Sequence, residues 1–125
     1  MKYFTIQELT TTNSGLKNIP TEYETDNLMA LVDNVLDPAR ELIGRAIQVN
    51  SGFRSREVNA KVGGVKNSQH LTGEAADIVC NDNKKLFEII RDNLTFDQLI
   101  NEKDYSWIHV SFSRIRNRKQ ILVIE

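Results

Sequence analysis

The chain has two histidines in 125 residues, His70 and His109, and each sits where it could do chemistry. His70 lies in Ser68-Gln69-His70-Leu71-Thr72-Gly73-Glu74-Ala75-Ala76-Asp77, which puts a carboxylate seven residues after an imidazole, across a glycine. His109 lies in Trp107-Ile108-His109-Val110-Ser111-Phe112. Two imidazoles and a carboxylate, with a fourth position open to water, form the ligand set of a catalytic zinc site. Such a set also suits several other metals. Each residue has an ordinary alternative too: a strand histidine is often structural, and an Asp ending a loop often caps a turn or pairs with a cation. Cys80 is the one cysteine, which excludes an intramolecular disulfide and any multi-cysteine metal cluster. A bound metal must therefore rest on the histidines and carboxylates.

The elements that would position these groups follow from periodicity. Thr5 and Thr10–Thr12 bracket a short helical turn at Ile6–Leu9, inside an irregular lead-in over residues 1–20. Leu28, Leu31, Val32, Val35, Leu36, Ala39, Leu42 and Ile43 predict a long amphipathic helix over Glu22–Ile43, kinked or restarted at Pro38 and ended by Gly44. A strand is predicted at 46–50, a helix capped by Ser55 at 56–62, and a loop at 65–74. Beyond these come a strand at 75–80, a helix capped by Asp82 at 83–91, and strands at 96–100, 107–112 and 120–124. Alternation along 107–112 places Trp107, His109 and Ser111 on one face and apolar Ile108, Val110 and Phe112 on the other. The same rule groups Asp77 with Ala75 and Val79, opposite Ala76, Ile78 and Cys80. The order of elements predicts an α+β fold, with helices packed on one face of a mainly antiparallel sheet.

Composition bounds the rest. The length fits one domain over residues 1–125, and 40% hydrophobic with 26% charged residues is ordinary for a globular chain. Sixteen basic against seventeen acidic residues give no electrostatic case for nucleic acid or an anionic membrane. No apolar run reaches membrane-spanning length, and no secretory signal is visible, so synthesis in the cytoplasm is expected.

Three blocks carry a family resemblance: Ser51-Gly52-Phe53-Arg54-Ser55 with Val58-Asn59 and Val62-Gly63-Gly64; Ser68-x-His70-x-x-Gly73-x-Ala75-x-Asp77; and Trp107-x-His109-Val110-Ser111. Together they resemble the zinc D-Ala-D-Ala carboxypeptidases and L-alanyl-D-glutamate endopeptidases, a family of murein peptidases that shares its fold with the Hedgehog signalling domain. The compact phage and prophage branch looks nearest. The resemblance implies a Zn2+ cofactor held by His70, Asp77 and His109, with a water whose pKa is lowered towards ~7. It implies that Arg54 contacts substrate near the cleaved bond, often at a carboxylate, which a planar guanidinium binds in two parallel hydrogen bonds. Ser68 and Gln69 would hold the peptide, and Trp107 would wall the site or join the core. Asn59, Gly63 and Gly64 match the pattern with structural roles.

One departure concerns the general base. Many members carry Glu or Asp three residues before the second histidine, where this chain has Ser106. The catalytic carboxylate is therefore expected at Glu102, after the Asp97-Gln98-Leu99-Ile100 run, with Asp104 as the other candidate. The resemblance implies hydrolysis of an amide bond in peptidoglycan stem peptides by a monomer, encoded by a phage or prophage and acting on the wall after release. The competing reading is a non-catalytic zinc module of the same fold that binds cell-wall peptide or protein.

Overall fold

A computed structural model describes residues 1–125. Helix α1 spans Ile6–Thr10, where the Thr5 hydroxyl and the Glu8 carboxylate close a capping box. Thr21 and Glu24 form a second capping box at the start of α2, Glu22–Leu31. The helix then widens into a π-helical turn over Val32–Leu36 and resumes as α3, Asp37–Ile43. Pro38 explains the widening: its ring would strike the Asn34 carbonyl in a regular α-helix, and the wider turn relieves that clash. The Glu22–Ile43 helix is thus continuous but locally unwound, and Gly44, at φ 69°, ends it.

Strand β1 (Gln48–Ser51), helix α4 (Arg56–Lys61, capped by Ser55), strand β2 (Ala75–Val79) and helix α5 (Asn83–Asn93, capped by Asp82) follow. Strands β3 (Gln98–Glu102), β4 (Trp107–Ser111) and β5 (Gln120–Ile124) complete the chain. The predicted loop at 65–74 contains an element that periodicity could not show, a 3-10 turn at Gln69–Thr72. Ser68 caps it by accepting from the His70 N–H, and Gly73, at φ 77°, closes it. One turn of helix is too short to carry an amphipathic signal.

The sheet order is β1-β2-β4-β3-β5, antiparallel throughout except for the parallel β3–β5 pair. Helices cover one face. Leu28, Leu31, Val32, Val35, Leu36 and Ala39 meet Leu86 and Ile90 of α5 over Ala76, Ile78, Leu99, Ile108 and Val110 of the sheet. Phe4 and Leu9 belong to the same core, so the N-terminal segment is packed rather than loose. Alternation then fixes the opposite face. Cross-strand partners line up Ser51, Asp77, His109, Ile100 and Leu122 as one transverse row, with Trp107, Glu102 and Ile124 as the next row along. No helix is long and apolar enough to cross a membrane.

Candidate metal centre

Two of the three proposed ligands are direct cross-strand partners, Asp77 on β2 and His109 on β4. The third, His70, arrives from the 3-10 turn and lies over them. Asp77 Oδ1 is 3.1 Å from His109 Nδ1 and 3.3 Å from His70 Nε2. The ligand atoms all lie within 4.8 Å of one another. His70 Nδ1 is 2.7 Å from the Gly52 carbonyl oxygen. A carbonyl only accepts, so Nδ1 donates to it and Nε2 is the ring nitrogen that faces Asp77. Two ring nitrogens and a carboxylate oxygen thus converge on one point, an arrangement that a cation satisfies. Burial opposes the charge on Asp77, but hydrogen bonds and positive charge from His109 and His70 outweigh it and hold the carboxyl well below the usual range. The donor set fits a divalent metal of the zinc type.

Arg54 is placed differently from a free substrate clamp. Its Nη2 donates to Asp77 Oδ2 at 3.2 Å, Nε to Ser51 Oγ at 2.9 Å, and Nη1 to Asn59 Oδ1 at 3.2 Å. The guanidinium holds the second oxygen of Asp77 and leaves Oδ1 to the histidines. Gly64 makes this possible: a Cβ there would lie 2.1 Å from Asn59 Oδ1 and 2.9 Å from Arg54 Nη1. Asn59 is in turn anchored by donating to the Val65 carbonyl.

A cleft of about 460 Å³ opens over this face, lined by Arg54, Ser68, Gln69, His70, Asp77, Glu102, Trp107 and His109 among others. Every expected site residue except Asp104 is therefore at one cleft. Glu102 is one row from His109, diagonal to it across the β3–β4 pair. Its carboxyl is pushed up by burial and by the charge of Asp77. Asp104 sits exposed at φ 52° in the β3–β4 turn and does not line the cleft. Trp107 is half-buried beside Glu102. Ser68 caps the turn that carries His70, and Gln69 gives its amide N–H to Asp97 Oδ2 at 2.8 Å.

Asp97 is a residue that the sequence reading passed over. It is almost wholly buried and takes Nε and Nη2 of Arg118, each at 2.8 Å, as well as the Gln69 amide. Hydrogen bonds from Arg118, set against burial, hold its carboxyl at about 2. Ser51 and Gly52 were likewise visible only as part of a motif, with no hint of which atoms they contribute.

The peptidase M15 family matches residues 2–111. The chain belongs to the peptidase M15 family. Within it, 77 residues are 40% identical to the zinc D-Ala-D-Ala carboxypeptidase of Streptomyces albus G. The matched stretch covers 60% of this chain and 30% of that relative, so the chain corresponds to a fraction of the relative's length.

Proposed function

We propose that the chain is a zinc metallopeptidase that hydrolyses an amide bond in peptidoglycan stem peptides. One observation carries this reading: His70, Asp77 and His109 converge within 4.8 Å in a cleft that also holds the ionisable Glu102. Membership of the M15 family and the zinc carboxypeptidase relative support the metal and the reaction class. His70, Asp77 and His109 would hold the zinc, which when bound acidifies a water and polarises the scissile carbonyl.

The protein's own groups supply the remainder. Gly52 fixes the His70 tautomer, Arg54 orients Asp77, and Glu102 manages the proton. A carboxylate with a raised pKa is a better proton shuttle near neutrality than an ordinary one. Glu102 takes the proton from the attacking water and later delivers it to the leaving amine. Trp107 flanks Glu102 and shields it from bulk water.

Digestion of purified peptidoglycan by the zinc-loaded protein, with and without chelator, tests the reading. Mass spectrometry is expected to find chelator-sensitive release of stem-peptide fragments. Zinc bound stoichiometrically with no fragment released would point instead to the non-catalytic binding module.

A further inference from the structure

Independently of the peptidase reading, we propose that β5 is a pairing edge for a second copy of this chain, with Leu122 facing Leu122 across a twofold axis. The two edges of the sheet are built differently. β1 is four residues long and bulged between Val49 and Ser51, and just beyond it the Phe53 N–H donates to the Leu9 carbonyl of α1. A short, bulged edge held against a helix is a poor template for another strand. β5 ends the sheet with no such device: Gln120–Ile124 contains no charge, no proline and no glycine. Its Ile121, Val123 and Ile124 are 45%, 63% and 46% exposed.

The bonds to β3 show which backbone groups are left over. The Gln120 N–H donates to the Asp97 carbonyl and the Ile124 carbonyl accepts from Lys103, so residues 120, 122 and 124 face β3. Alternation turns the N–H and C=O of Ile121 and Val123 outward. An antiparallel copy centred on Leu122 sets each Ile121 opposite a Val123. Each of these two pairs exchanges two backbone hydrogen bonds and closes apolar side chains together. The same register brings Lys119, at φ 51° in the turn before β5, towards Glu125 just after it. The Lys119 ammonium rests on the Phe96 ring at 5.5 Å, a contact that does not cancel its charge, whereas Arg118 is committed to Asp97. Centring on Ile121 would put Lys119 opposite Val123, and centring on Val123 would put Glu125 opposite Ile121. Charge and apolar pairing together select Leu122. His109 lies two strands inward, on β4, so the pairing borders the cleft at Ile124 and leaves the three ligands open. Two five-residue strands make a small interface, of the weak and transient class. The monomer that the family resemblance implies is then the dilute form.

Sedimentation equilibrium of the full chain from about 10 µM to about 1 mM is expected to show a monomer–dimer equilibrium with Kd on the order of 100 µM. Val123→Lys, at an exposed position, should abolish the dimer while zinc affinity and thermal midpoint stay unchanged. Lys119→Glu and Glu125→Lys should each weaken it about tenfold, and an equimolar mixture of the two should restore it. In a Cys80→Ser background treated with diamide, Leu122→Cys should cross-link to itself at least about tenfold faster than Ile121→Cys or Val123→Cys, because only residue 122 opposes its own copy. A monomer throughout the range, a dimer indifferent to Val123→Lys, or faster cross-linking at 121 or 123 would overturn the proposal. So would a monomer whose Ile121 and Val123 amide resonances move on adding the peptide L-Ala-γ-D-Glu-L-Lys-D-Ala-D-Ala, since the edge would then take an extended peptide instead.

Discussion

At the scale of single residues, the proposed site divides into groups that would bind metal and groups that hold those binders in place. Asp77 belongs to the first kind and Arg54, as the structure places it, to the second. Removing a group that orients a metal ligand typically costs 10–100-fold in metal affinity. Arg54→Ala is therefore expected to weaken zinc binding by about that factor in a chelator competition, with Arg54→Lys intermediate because an ammonium cannot reproduce the three-way fork. His70→Ala should weaken binding more, since it removes a ligand outright. Glu102→Gln tests a different role. It should lower kcat by about 10²–10⁴-fold while leaving zinc affinity nearly intact. Asp104→Asn, in the exposed turn, should change neither. Equal effects from both carboxylate variants would remove Glu102 from the proton-transfer role.

At the scale of elements, the weakest piece is the 3-10 turn that delivers His70. A single turn has little stability of its own, so it depends on the Ser68 cap, on Gly73 and on the Gln69–Asp97–Arg118 link to the start of β5. The Asp97 carboxyl, at about 2 in the fold against an ordinary value near 3.8, gives this link a pH signature. The unfolded chain binds the proton more readily, so the stabilisation is complete above about pH 4 to 5 and disappears as pH falls towards 2. Its size is on the order of 2 kcal/mol for a carboxylate this well buried. Asp97→Asn should lower stability at pH 7 and flatten the acid limb of a denaturation series measured between pH 2 and 5. An unchanged acid limb would show that the carboxylate's charge is not what secures the turn. Gly64→Ala acts on a neighbouring element: the added methyl would press on Asn59 and Arg54, so zinc affinity should fall together with stability.

At the scale of the whole molecule, one sheet separates the face that carries the core from the face that carries the candidate site. Ile108 is fully buried between Trp107 and His109 in sequence but on the opposite side of the sheet. Ile108→Ala should cost about 2–5 kcal/mol of stability. At a temperature where the variant remains folded, zinc affinity should be nearly unchanged, as calorimetry and chelator titration would show. The three proposed zinc ligands are brought together only by folding, so zinc should raise the thermal midpoint in a concentration-dependent way. At free zinc a thousand times Kd the added stability is about 4 kcal/mol. A midpoint insensitive to zinc would mean that the three groups do not form a site in solution.

The sequence by itself determined what depends on local pattern. The 28–43 apolar stripe placed the long helix, Ser55 and Asp82 marked helix starts, and alternation put His109 on the face opposite its apolar neighbours. The motif blocks drew attention to His70, Asp77, His109 and Arg54, and the shortage of imidazoles directed the base role to a carboxylate. Tertiary structure alone decided how these parts meet. Only the β2–β4 register pairs Asp77 with His109, and only the parallel addition of β5 beside β3 lays Leu122 next to Ile100. Ser111, grouped by alternation with the polar face, is fully buried, and its hydroxyl stays satisfied there by accepting the Gln98 N–H. The commitment of Arg54 to Asp77 and the anchoring of Gln69 by Asp97 join residues 23 and 28 positions apart. Such contacts have no local sequence signal, because a hydrogen bond across the fold depends on where two backbones have been carried by everything between them.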